Sequence, residues 1–339
     1  MSHFRFETVA GLDSAWFFPW RLQLNDERMG GMDTIPEISP AFRAEVIRRD
    51  ASSTQWLEDL PGLWRSLAAT WGVDVVGAPR TGATSLVVPV VTRTGIRAAV
   101  KLVSPVVRIE AEVSALSTFG GRGTVTLLEV DTTRQAMLLE WIDGPALSEM
   151  ADKGAAMAIA GQLSLELATA TPPAGAPSLA GQACGWLAQL REQHEVAHQS
   201  GSAMSDEHLE LAVRIVQQLA SDGTSTLTHG DLSLSNILQA DADRWVAIDP
   251  LLLIGTSANE AHTAVRSHLS TAMSADAPVA LLADWTRRFT EAAGVDYTWA
   301  QALSFARYVG SYYWESQNEG APTNVARLRR AVLLLAPLV

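Results

Sequence analysis

The most informative part of the chain is residues 228–250, which read THGDLSLSNILQADADRWVAIDP. Asp231 follows a glycine in a predicted loop, and Asn236 comes five residues later. Two short strand-like segments, joined by the polar turn Ala-Asp-Ala-Asp, lie between Asn236 and Asp249. This pattern predicts a β-hairpin that returns Asp249 to the neighbourhood of Asn236.

These residue types together fit phosphoryl transfer. The transition state of that reaction is loose and highly charged, so a protein mainly has to position a carboxylate for the hydroxyl proton and oxygen ligands for magnesium. Asp231 suits the first task, and Asn236 and Asp249 offer the hard oxygen donors that magnesium takes. Each residue alone is a common turn residue. Their joint spacing favours the catalytic interpretation.

The chain before this stretch predicts an α+β unit. Helical apolar spacing over residues 40–71 precedes short, valine-rich segments that are typical of a strand meander, and we expect Pro61 to start a second helix. The predicted strands cover residues 73–78, 84–92, 96–103, 125–130 and 136–142, with a helix over residues 107–119.

From Ser148 onward the pattern is mainly helical. Ser148 is the predicted cap of a helix that Pro172-Pro173 stops, and further helices are predicted over residues 182–198 and, capped by Ser205, to residue 219. We therefore expect three parts: an N-terminal extension, a nucleotide-binding lobe and a lobe with the catalytic loop and the acceptor site. Their predicted bounds are 1–33, 34–141 and 142–339.

Composition excludes several classes of protein. Cys184 is the single cysteine, so a secreted scaffold stapled by intrachain disulfides is excluded. The net charge of −12 argues against nucleic acid as a partner, because a phosphate backbone requires a basic footprint. The N-terminus lacks the pattern of a signal peptide, and no apolar run approaches the roughly 20 residues of a membrane span. A cytoplasmic protein, monomeric or homodimeric, is expected.

The negative charge is unevenly distributed. Residues 142–339 carry 21 acidic and 11 basic side chains. A solvated acidic surface explains this imbalance, and so does a cleft suited to a cationic substrate.

The segment His229-Gly230-Asp231 resembles the catalytic loop of the aminoglycoside phosphotransferase superfamily, whose members are relatives of the protein kinases. The chain is most similar to the streptomycin and hydroxyurea phosphotransferase branch, from about Ile35 onward. Further matching segments are Ser85-Leu86-Val87-Val88-Pro89-Val90, Ala99-Val100-Lys101-Leu102, Gly121-Arg122-Gly123 and Leu138-Leu139-Glu140. The resemblance implies a protein-kinase-like two-lobed fold, with a small antiparallel sheet in the N-lobe and a mainly helical C-lobe.

The resemblance also implies a nucleotide site for ATP, with GTP as an alternative, and Mg²⁺. Lys101 would contact the α and β phosphates and pair with Glu112, although an ordinary surface pair has the same residue types. Thr84 and Ser85 lie where a phosphate-covering loop belongs. The purine base would contact the backbone of the segment formed by Glu140, Trp141 and Ile142.

The acceptor site is less well specified by the sequence. After the metal-binding aspartate this branch usually reads Pro-Lys and then Gly-Asp-Pro, whereas here Leu251 follows Pro250 and Thr256 follows Gly255. The candidate substrate residues are Glu260, Glu315, Glu319 and Trp314. Glu315 and Glu319 would lie one turn apart on a late helix.

These observations predict a small-molecule kinase that phosphorylates a hydroxyl group of an antibiotic or a related natural product. A sugar or metabolite kinase and a nucleotide-binding pseudokinase scaffold are the alternatives. One further pair, His194 and His198, shares a helix face at i, i+4 spacing. Without a recognisable zinc motif, the sequence favours a solvated face there.

Overall fold

The computed structural model describes residues 38–51, 53–82, 84–318 and 320–339, so the predicted N-terminal extension, residues 1–33, lies outside the described residues. The described chain separates into two compact units, one that ends at Asp143 and one that begins at Gly144. In the part of the chain that is described, every helix is too short or too polar to cross a membrane.

The first unit is a helical pair followed by an antiparallel sheet into which one further helix is inserted. Its elements are α1 (Pro40–Arg49), α2 (Ser53–Trp71), β1 (Val73–Val75), β2 (Arg80–Thr81), β3 (Ser85–Thr92), β4 (Arg97–Val103), α3 (Glu110–Phe119), β5 (Leu127–Asp131) and β6 (Ala136–Glu140). The strand order is β1-β3-β4-β6-β5, with β2 paired to β3.

Strand periodicity explains the core of the first unit. Alternate side chains of β3 and β4, among them Val88 and Val100, are fully buried and pack in one cluster with Leu60 and Trp64 of α2. Successive side chains of a strand point to opposite faces, so one apolar face of the sheet covers the helices. The opposite face of β4 carries Lys101.

The largest errors in the predicted boundaries of the first unit concern Pro61 and the segment 73–78. Pro61 does not start a helix, because α2 runs through it from Ser53 to Trp71. Buried residues on both sides of Pro61 form one apolar stripe, and this tertiary packing outweighs the local cost of proline. The segment 73–78 is not one strand: β1 ends at Val75, and β2 begins at Arg80.

The second unit is mainly helical and contains two short antiparallel pairs. Its elements are α4 (Lys153–Leu167), α5 (Leu179–Ser200), α6 (Asp206–Ala220), β7 (Leu227–Thr228), β8 (Ile237–Gln239), β9 (Trp245–Ala247), β10 (Leu253–Ile254), α7 (Glu260–Arg266), α8 (Leu269–Ser274), α9 (Pro278–Ala293), α10 (Tyr297–Gln317) and α11 (Pro322–Leu335). β7 pairs with β10, and β8 pairs with β9.

One of the two predicted helix caps is wrong, and the other stands at its predicted position without the hydrogen bond of a cap. Asp152, not Ser148, caps α4, since its Oδ1 accepts from the backbone N–H of Ala155 at 3.0 Å. Ser205 stands at the cap position of α6, but its hydroxyl pairs with Nδ1 of His208 instead of the helix backbone. A short 3₁₀ turn at residues 147–149 occupies the place where the sequence predicts the first turn of α4.

Candidate active site

A glycine turn carries the chain from β7 into the loop that contains Asp231. Gly230 has a φ of 80°, a conformation that side-chain-bearing residues rarely adopt. A Cβ atom at this position would also lie 2.9 Å from Cβ of Leu251. Both facts explain why glycine precedes the predicted catalytic aspartate.

His229 holds the base of this loop as a neutral imidazole. Its Nδ1 accepts from the backbone N–H of Asp231 at 3.3 Å, so that nitrogen carries no proton. Its Nε2–H donates to the backbone carbonyl of Ile248 at 2.9 Å. Complete burial lowers the pKa of His229 to about 4, which agrees with this neutral tautomer.

Asp231 and Asn236 are in direct contact. The side-chain amide nitrogen of Asn236 donates to Oδ2 of Asp231 at 2.5 Å and to its backbone carbonyl at 3.2 Å. The other carboxylate oxygen, Oδ1, is buried and has no hydrogen-bond partner among the described residues. The contact therefore fixes the carboxylate and leaves one oxygen able to accept a proton.

The predicted hairpin brings the two candidate metal ligands together. β8 and β9 pair antiparallel, with Ile237 opposite Ala247. Beyond that pair the backbone N–H of Ile248 donates to the carbonyl of Asn236 at 2.8 Å, which places Asp249 next to Asn236. Because the amide nitrogen of Asn236 is hydrogen-bonded to Asp231, the amide oxygen of Asn236 is the atom that could coordinate a cation. An amide and a carboxylate oxygen suit magnesium.

Asp249 has an unusual backbone conformation, with a φ of 59°. Aspartate and asparagine tolerate this left-handed region better than most residues, at a cost in conformational energy. Such strained positions concentrate at functional sites, where the surrounding structure enforces them.

Glu260 lies beneath the loop, and its position does not fit the predicted contact with a substrate. It is only 2% exposed. Its Oε1 accepts from the backbone N–H of Gly230 at 2.9 Å, and its Oε2 accepts from the hydroxyl of Ser164 at 2.5 Å. Glu260 therefore ties the start of α7 to the catalytic loop and to α4.

Several charges act on the Asp231 carboxyl. Burial raises its pKa well above the ordinary range, and the carboxylates of Asp249 and Glu260 raise it further. The guanidinium of Arg307, on α10, opposes them, as does the hydrogen bond from Asn236. A carboxylate whose charged form is disfavoured by burial has the higher proton affinity that a general base requires.

The first unit contains the predicted Lys101–Glu112 pair. Nζ of Lys101 on β4 contacts both carboxylate oxygens of Glu112 on α3, at 2.7 and 2.8 Å. The lysine side chain is 6% exposed and that of Glu112 is 16% exposed. Pairing offsets the cost of burying both charges, which a surface pair would not incur.

The other predicted nucleotide-binding residues lie at or next to the ends of strands. Thr84 and Ser85 follow the turn between β2 and β3, where the backbone N–H of Gly82 donates to the carbonyl of Ser85 at 2.8 Å. At the end of β6, Glu140 accepts from the hydroxyl of Thr126 at 2.9 Å. After Glu140, the ring of Trp141 lies under the guanidinium of Arg80, and Ile142 is buried.

Two of the remaining predicted substrate residues, Trp314 and Glu315, are half-buried near the end of α10. The helix ends at Gln317, and the predicted spacing of Glu315 and Glu319 on one helical face stays a prediction. The end of the helix is set by Asn318, whose backbone departs from helical geometry, and Glu319 itself lies outside the described residues.

Two residues of this site, Ser164 and Arg307, have no signal in the sequence. Ser164 lies 96 positions before Glu260, and Arg307 is one of several arginines on helices. No local motif distinguishes either residue, because their roles depend on contacts between helices far apart in the chain.

Comparisons with known proteins agree with this fold. The sequence family described as "Aminoglycoside/hydroxyurea antibiotic resistance kinase" matches residues 70–318. A streptomycin 6-kinase from Streptomyces glaucescens is 29% identical over 304 residues, which are 88% of this chain and 96% of that protein. A hydroxyurea phosphotransferase from Kitasatospora aureofaciens is 34% identical over 221 residues, 64% of each chain.

Solved structures share the fold at low sequence identity. A choline/ethanolamine kinase family protein from Mesorhizobium loti superposes with a TM-score of 0.54 at 13% identity, over 80% of this chain and 95% of that one. For choline kinase from Streptococcus pneumoniae the TM-score is 0.53 at 15% identity, over 80% and 96% of the two chains. The predicted α+β, protein-kinase-like fold is confirmed. With the family match spanning most of the chain, this protein belongs to the aminoglycoside/hydroxyurea antibiotic resistance kinase family and is a phosphotransferase.

Proposed function

We propose that this protein transfers the terminal phosphoryl group of ATP, with Mg²⁺, to a hydroxyl group of an antibiotic or a related natural product of aminoglycoside, nucleoside or peptide type. The observation that carries the proposal is the buried Asp231 carboxylate, which Asn236 holds through Oδ2 while Oδ1 has no hydrogen-bond partner among the described residues. The names of the similar kinases, for streptomycin and for hydroxyurea, support an antibiotic as the acceptor.

Asp231 is the proposed catalytic base. Its Oδ1 would accept the proton of the acceptor hydroxyl as the phosphoryl group is transferred, and the hydrogen bonds from Asn236 would keep the carboxylate in one orientation during that step. Burial, which raises the pKa of Asp231, strengthens its affinity for this proton. Glu260 and His229 are positioning residues, since both contact the loop backbone.

Side-chain chemistry and the family resemblance also indicate which residues would bind the metal and the nucleotide. Asn236 and Asp249 would hold Mg²⁺ through their side-chain oxygens, and Mg²⁺ supplies positive charge where the phosphate oxygens become more negative. In the unit that ends at Asp143, Lys101 would bind the α and β phosphates, with Glu112 fixing its position. Thr84, Ser85 and the segment Glu140–Ile142 complete the proposed nucleotide site.

Residues 34–141 are therefore proposed to bind the nucleotide. Residues 142–339 are proposed to carry the catalytic loop and the acceptor site. A cytoplasmic location supplies the ATP, and the single cysteine, Cys184, agrees with a reducing compartment.

The test is a product assay with matched variants. Purified protein is incubated with ATP, Mg²⁺ and a panel that includes streptomycin, hydroxyurea, other aminoglycosides, nucleoside antibiotics and simple sugars, and products are detected by the mass gain of one phosphoryl group. Asp231→Asn should lower turnover by about 10²- to 10⁴-fold, the contribution typical of a general base, and leave ATP affinity within about twofold.

Two controls make the assay decisive. Asp241→Asn changes an exposed aspartate in the hairpin turn and should leave turnover unchanged. Slow hydrolysis of ATP, with water as the acceptor, reports catalysis even when the panel lacks the right acceptor. If ATP binds but neither hydrolysis nor any product is detected, the protein is a nucleotide-binding scaffold and the proposal fails. If turnover is the same in Asp231→Asn as in the parent protein, Asp231 is not the base and the proposal fails in that part. Phosphorylation confined to sugars would overturn the antibiotic acceptor alone.

A further inference from the structure

A second cluster of ligand-type side chains lies in the unit that begins at Gly144, on residues to which the proposed phosphoryl transfer assigns no role. His194 and His198 share one face of α5, and Asp206 begins α6 after the turn at Gly201. Oδ1 of Asp206 lies 3.2 Å from Nε2 of His194 and 3.4 Å from Nε2 of His198. All three candidate ligand atoms lie within 4.8 Å of one another.

Two of these separations are close to those between ligands around a tetrahedral metal ion. Zinc binds imidazole nitrogen and carboxylate oxygen at about 2.0 to 2.2 Å, so neighbouring ligand atoms in a tetrahedron lie about 3.3 to 3.6 Å apart. The two distances to Asp206, 3.2 and 3.4 Å, are within about 0.1 Å of this range. The two imidazole nitrogens lie at most 4.8 Å apart, and theirs is the one separation that would have to shorten when a metal binds.

The surroundings of His194 hold its ring in a ligand-ready orientation. His194 is only 3% exposed, and its Nδ1 contacts the hydroxyl of Tyr313 at 2.5 Å. Metal-binding histidines almost always have such a partner on the second ring nitrogen, which fixes the tautomer and the ring direction. With Nδ1 bonded to Tyr313, Nε2 is the atom that faces Asp206.

The turn between α5 and α6 is also held in place. The hydroxyl of Tyr312 donates to the carbonyl of Ser202 at 2.6 Å, and the side-chain amide of Gln317 donates to the carbonyl of Gln193 at 2.6 Å. The end of α10 thus supports both the helix that carries the histidines and the turn that leads to Asp206. A metal ion would find these ligands largely prearranged.

We propose that His194, His198 and Asp206 form a binding site for a divalent first-row transition metal, with Zn²⁺ as the best fit. Two imidazoles and one carboxylate suit zinc, whereas magnesium and calcium prefer sites made of oxygen ligands. Water fills the fourth position of such a site, because Asp206 and His198 face solvent. The bound metal links the end of α5 to the start of α6 and stabilises this part of the protein.

The experiment is a zinc titration of the full-length protein in a Cys184→Ser background, which removes the exposed thiol as a competing ligand. The protein is first treated with a chelator, which is then removed. Calorimetry with Zn²⁺ should show one equivalent bound. The melting temperature should rise with Zn²⁺ but not with Mg²⁺. Co²⁺ should give the visible absorption of a four-coordinate site with nitrogen and oxygen ligands.

Variants decide whether the binding belongs to this cluster. His198→Gln changes a half-exposed histidine, so the fold should persist, and zinc affinity should fall at least tenfold; Asp206→Asn should act similarly. His208→Gln is the matched control, a histidine two residues after Asp206 whose ring contacts Ser205. Absence of zinc binding at about 100 µM, or equal affinity in His198→Gln and the parent, would show that the cluster only forms His–Asp hydrogen bonds and would overturn the proposal.

Discussion

Oε1 of Glu260 accepts a hydrogen bond from the backbone N–H of Gly230 at 2.9 Å, one residue before the proposed base Asp231. The donor is a backbone group in a buried loop, and it would have no other partner if the carboxylate were absent. The second oxygen of Glu260 extends the link to Ser164 on α4. Glu260 therefore acts on the reaction through the backbone that carries Asp231.

Two variants show whether Glu260 acts through its hydrogen bonds or through its negative charge. In Glu260→Gln the amide can donate to Ser164 while its oxygen still accepts from Gly230, so we expect turnover within about fivefold of the parent protein. Glu260→Ala leaves the Gly230 N–H unsatisfied, at a cost of about 1 to 3 kcal/mol, and should lower kcat by about 10- to 100-fold with little change in nucleotide affinity. A raised acceptor KM in Glu260→Gln would instead indicate direct binding of a cationic acceptor by the carboxylate.

The hairpin around the metal ligands could be predicted because its information is local. Two strand-like segments and a polar turn determine that Asn236 and Asp249 meet, and the observed β8–β9 pairing has this arrangement. The Lys101–Glu112 pair followed from the family resemblance and is present. Motif spacing and family likeness thus identified the residues with the clearest chemistry.

The parts that were missed depend on packing between distant segments. Nothing adjacent to Glu260 indicates that its oxygens face Gly230 and Ser164, and nothing adjacent to His194 indicates that Asp206 and Tyr313 meet its ring. The start of α4 was misplaced because Ser148 is a suitable cap residue, whereas the structure uses Asp152. Long-range contacts and helix ends are the features that periodicity specifies least.

The metal role of Asp249 can be tested without disturbing the backbone. Its φ of 59° is tolerated by asparagine, so Asp249→Asn should fold normally while losing the negative charge. We expect ATP affinity in the presence of Mg²⁺ to fall at least tenfold, to the level that the parent protein shows in EDTA. Calorimetric titration with and without Mg²⁺ measures this difference, and a variant that keeps the full magnesium effect would contradict the assignment.

The Lys101–Glu112 pair is expected to serve both stability and nucleotide binding. Lys101→Met leaves the carboxylate of Glu112 without its ammonium partner and should lower the free energy of unfolding by about 3 kcal/mol. The double variant Lys101→Met/Glu112→Leu should recover much of that stability but none of the ATP affinity. Lys101→Arg should also bind ATP poorly, because the planar guanidinium cannot replace a compact ammonium.

The control for this pair is Arg108→Met, because the Arg108–Glu110 pair is largely exposed and should contribute little to stability. Denaturant unfolding and a fluorescent-nucleotide assay supply the two measurements. If the double variant regained ATP binding along with stability, Lys101 would have a structural role only.

The dependence of the acceptor KM on salt concentration reports whether the acceptor is charged. The excess of acidic groups in residues 142–339 would attract a cationic acceptor, and this attraction would be screened over distances beyond about 8 Å at physiological salt. We expect the acceptor KM to rise severalfold between about 50 and 300 mM salt, with the ATP KM changing less. Glu315→Gln should raise the acceptor KM, whereas Glu291→Gln, an exposed change on α9, should not. An unchanged acceptor KM in both experiments would indicate a neutral acceptor.

The last prediction concerns acid stability and His229. The folded protein holds this histidine neutral with a pKa of about 4, whereas an unfolded chain would have an ordinary value of about 6.5. A group whose pKa is lowered on folding contributes its stability above the unfolded pKa and loses it as the pH falls toward the folded pKa. The window is therefore between pH 6.5 and about 4, in which protons bind the unfolded chain preferentially.

The size of the effect follows from that difference. At about 1.4 kcal/mol per pKa unit, the fall from 6.5 to about 4 corresponds to a loss on the order of 3 kcal/mol. Burial also raises the pKa values of Asp231 and Glu260 in the folded protein, and these shifts favour the folded state as the pH falls. The informative quantity is therefore the difference in unfolding free energy between the parent protein and His229→Gln, measured by denaturant unfolding from pH 7 to pH 4.

Glutamine is the appropriate replacement because its side-chain nitrogen can still donate to the carbonyl of Ile248, the bond that Nε2 makes in the parent protein. At pH 7 we expect the variant to be the less stable of the two, since it loses the hydrogen bond to the backbone N–H of Asp231. As the pH falls to 4 the parent protein should lose its advantage by on the order of 3 kcal/mol, because only the parent has an imidazole to protonate on unfolding. If the free-energy difference stays constant across this range, His229 titrates alike in the folded and unfolded chains. That result would contradict the assignment of His229 as a buried, neutral imidazole that holds the catalytic loop.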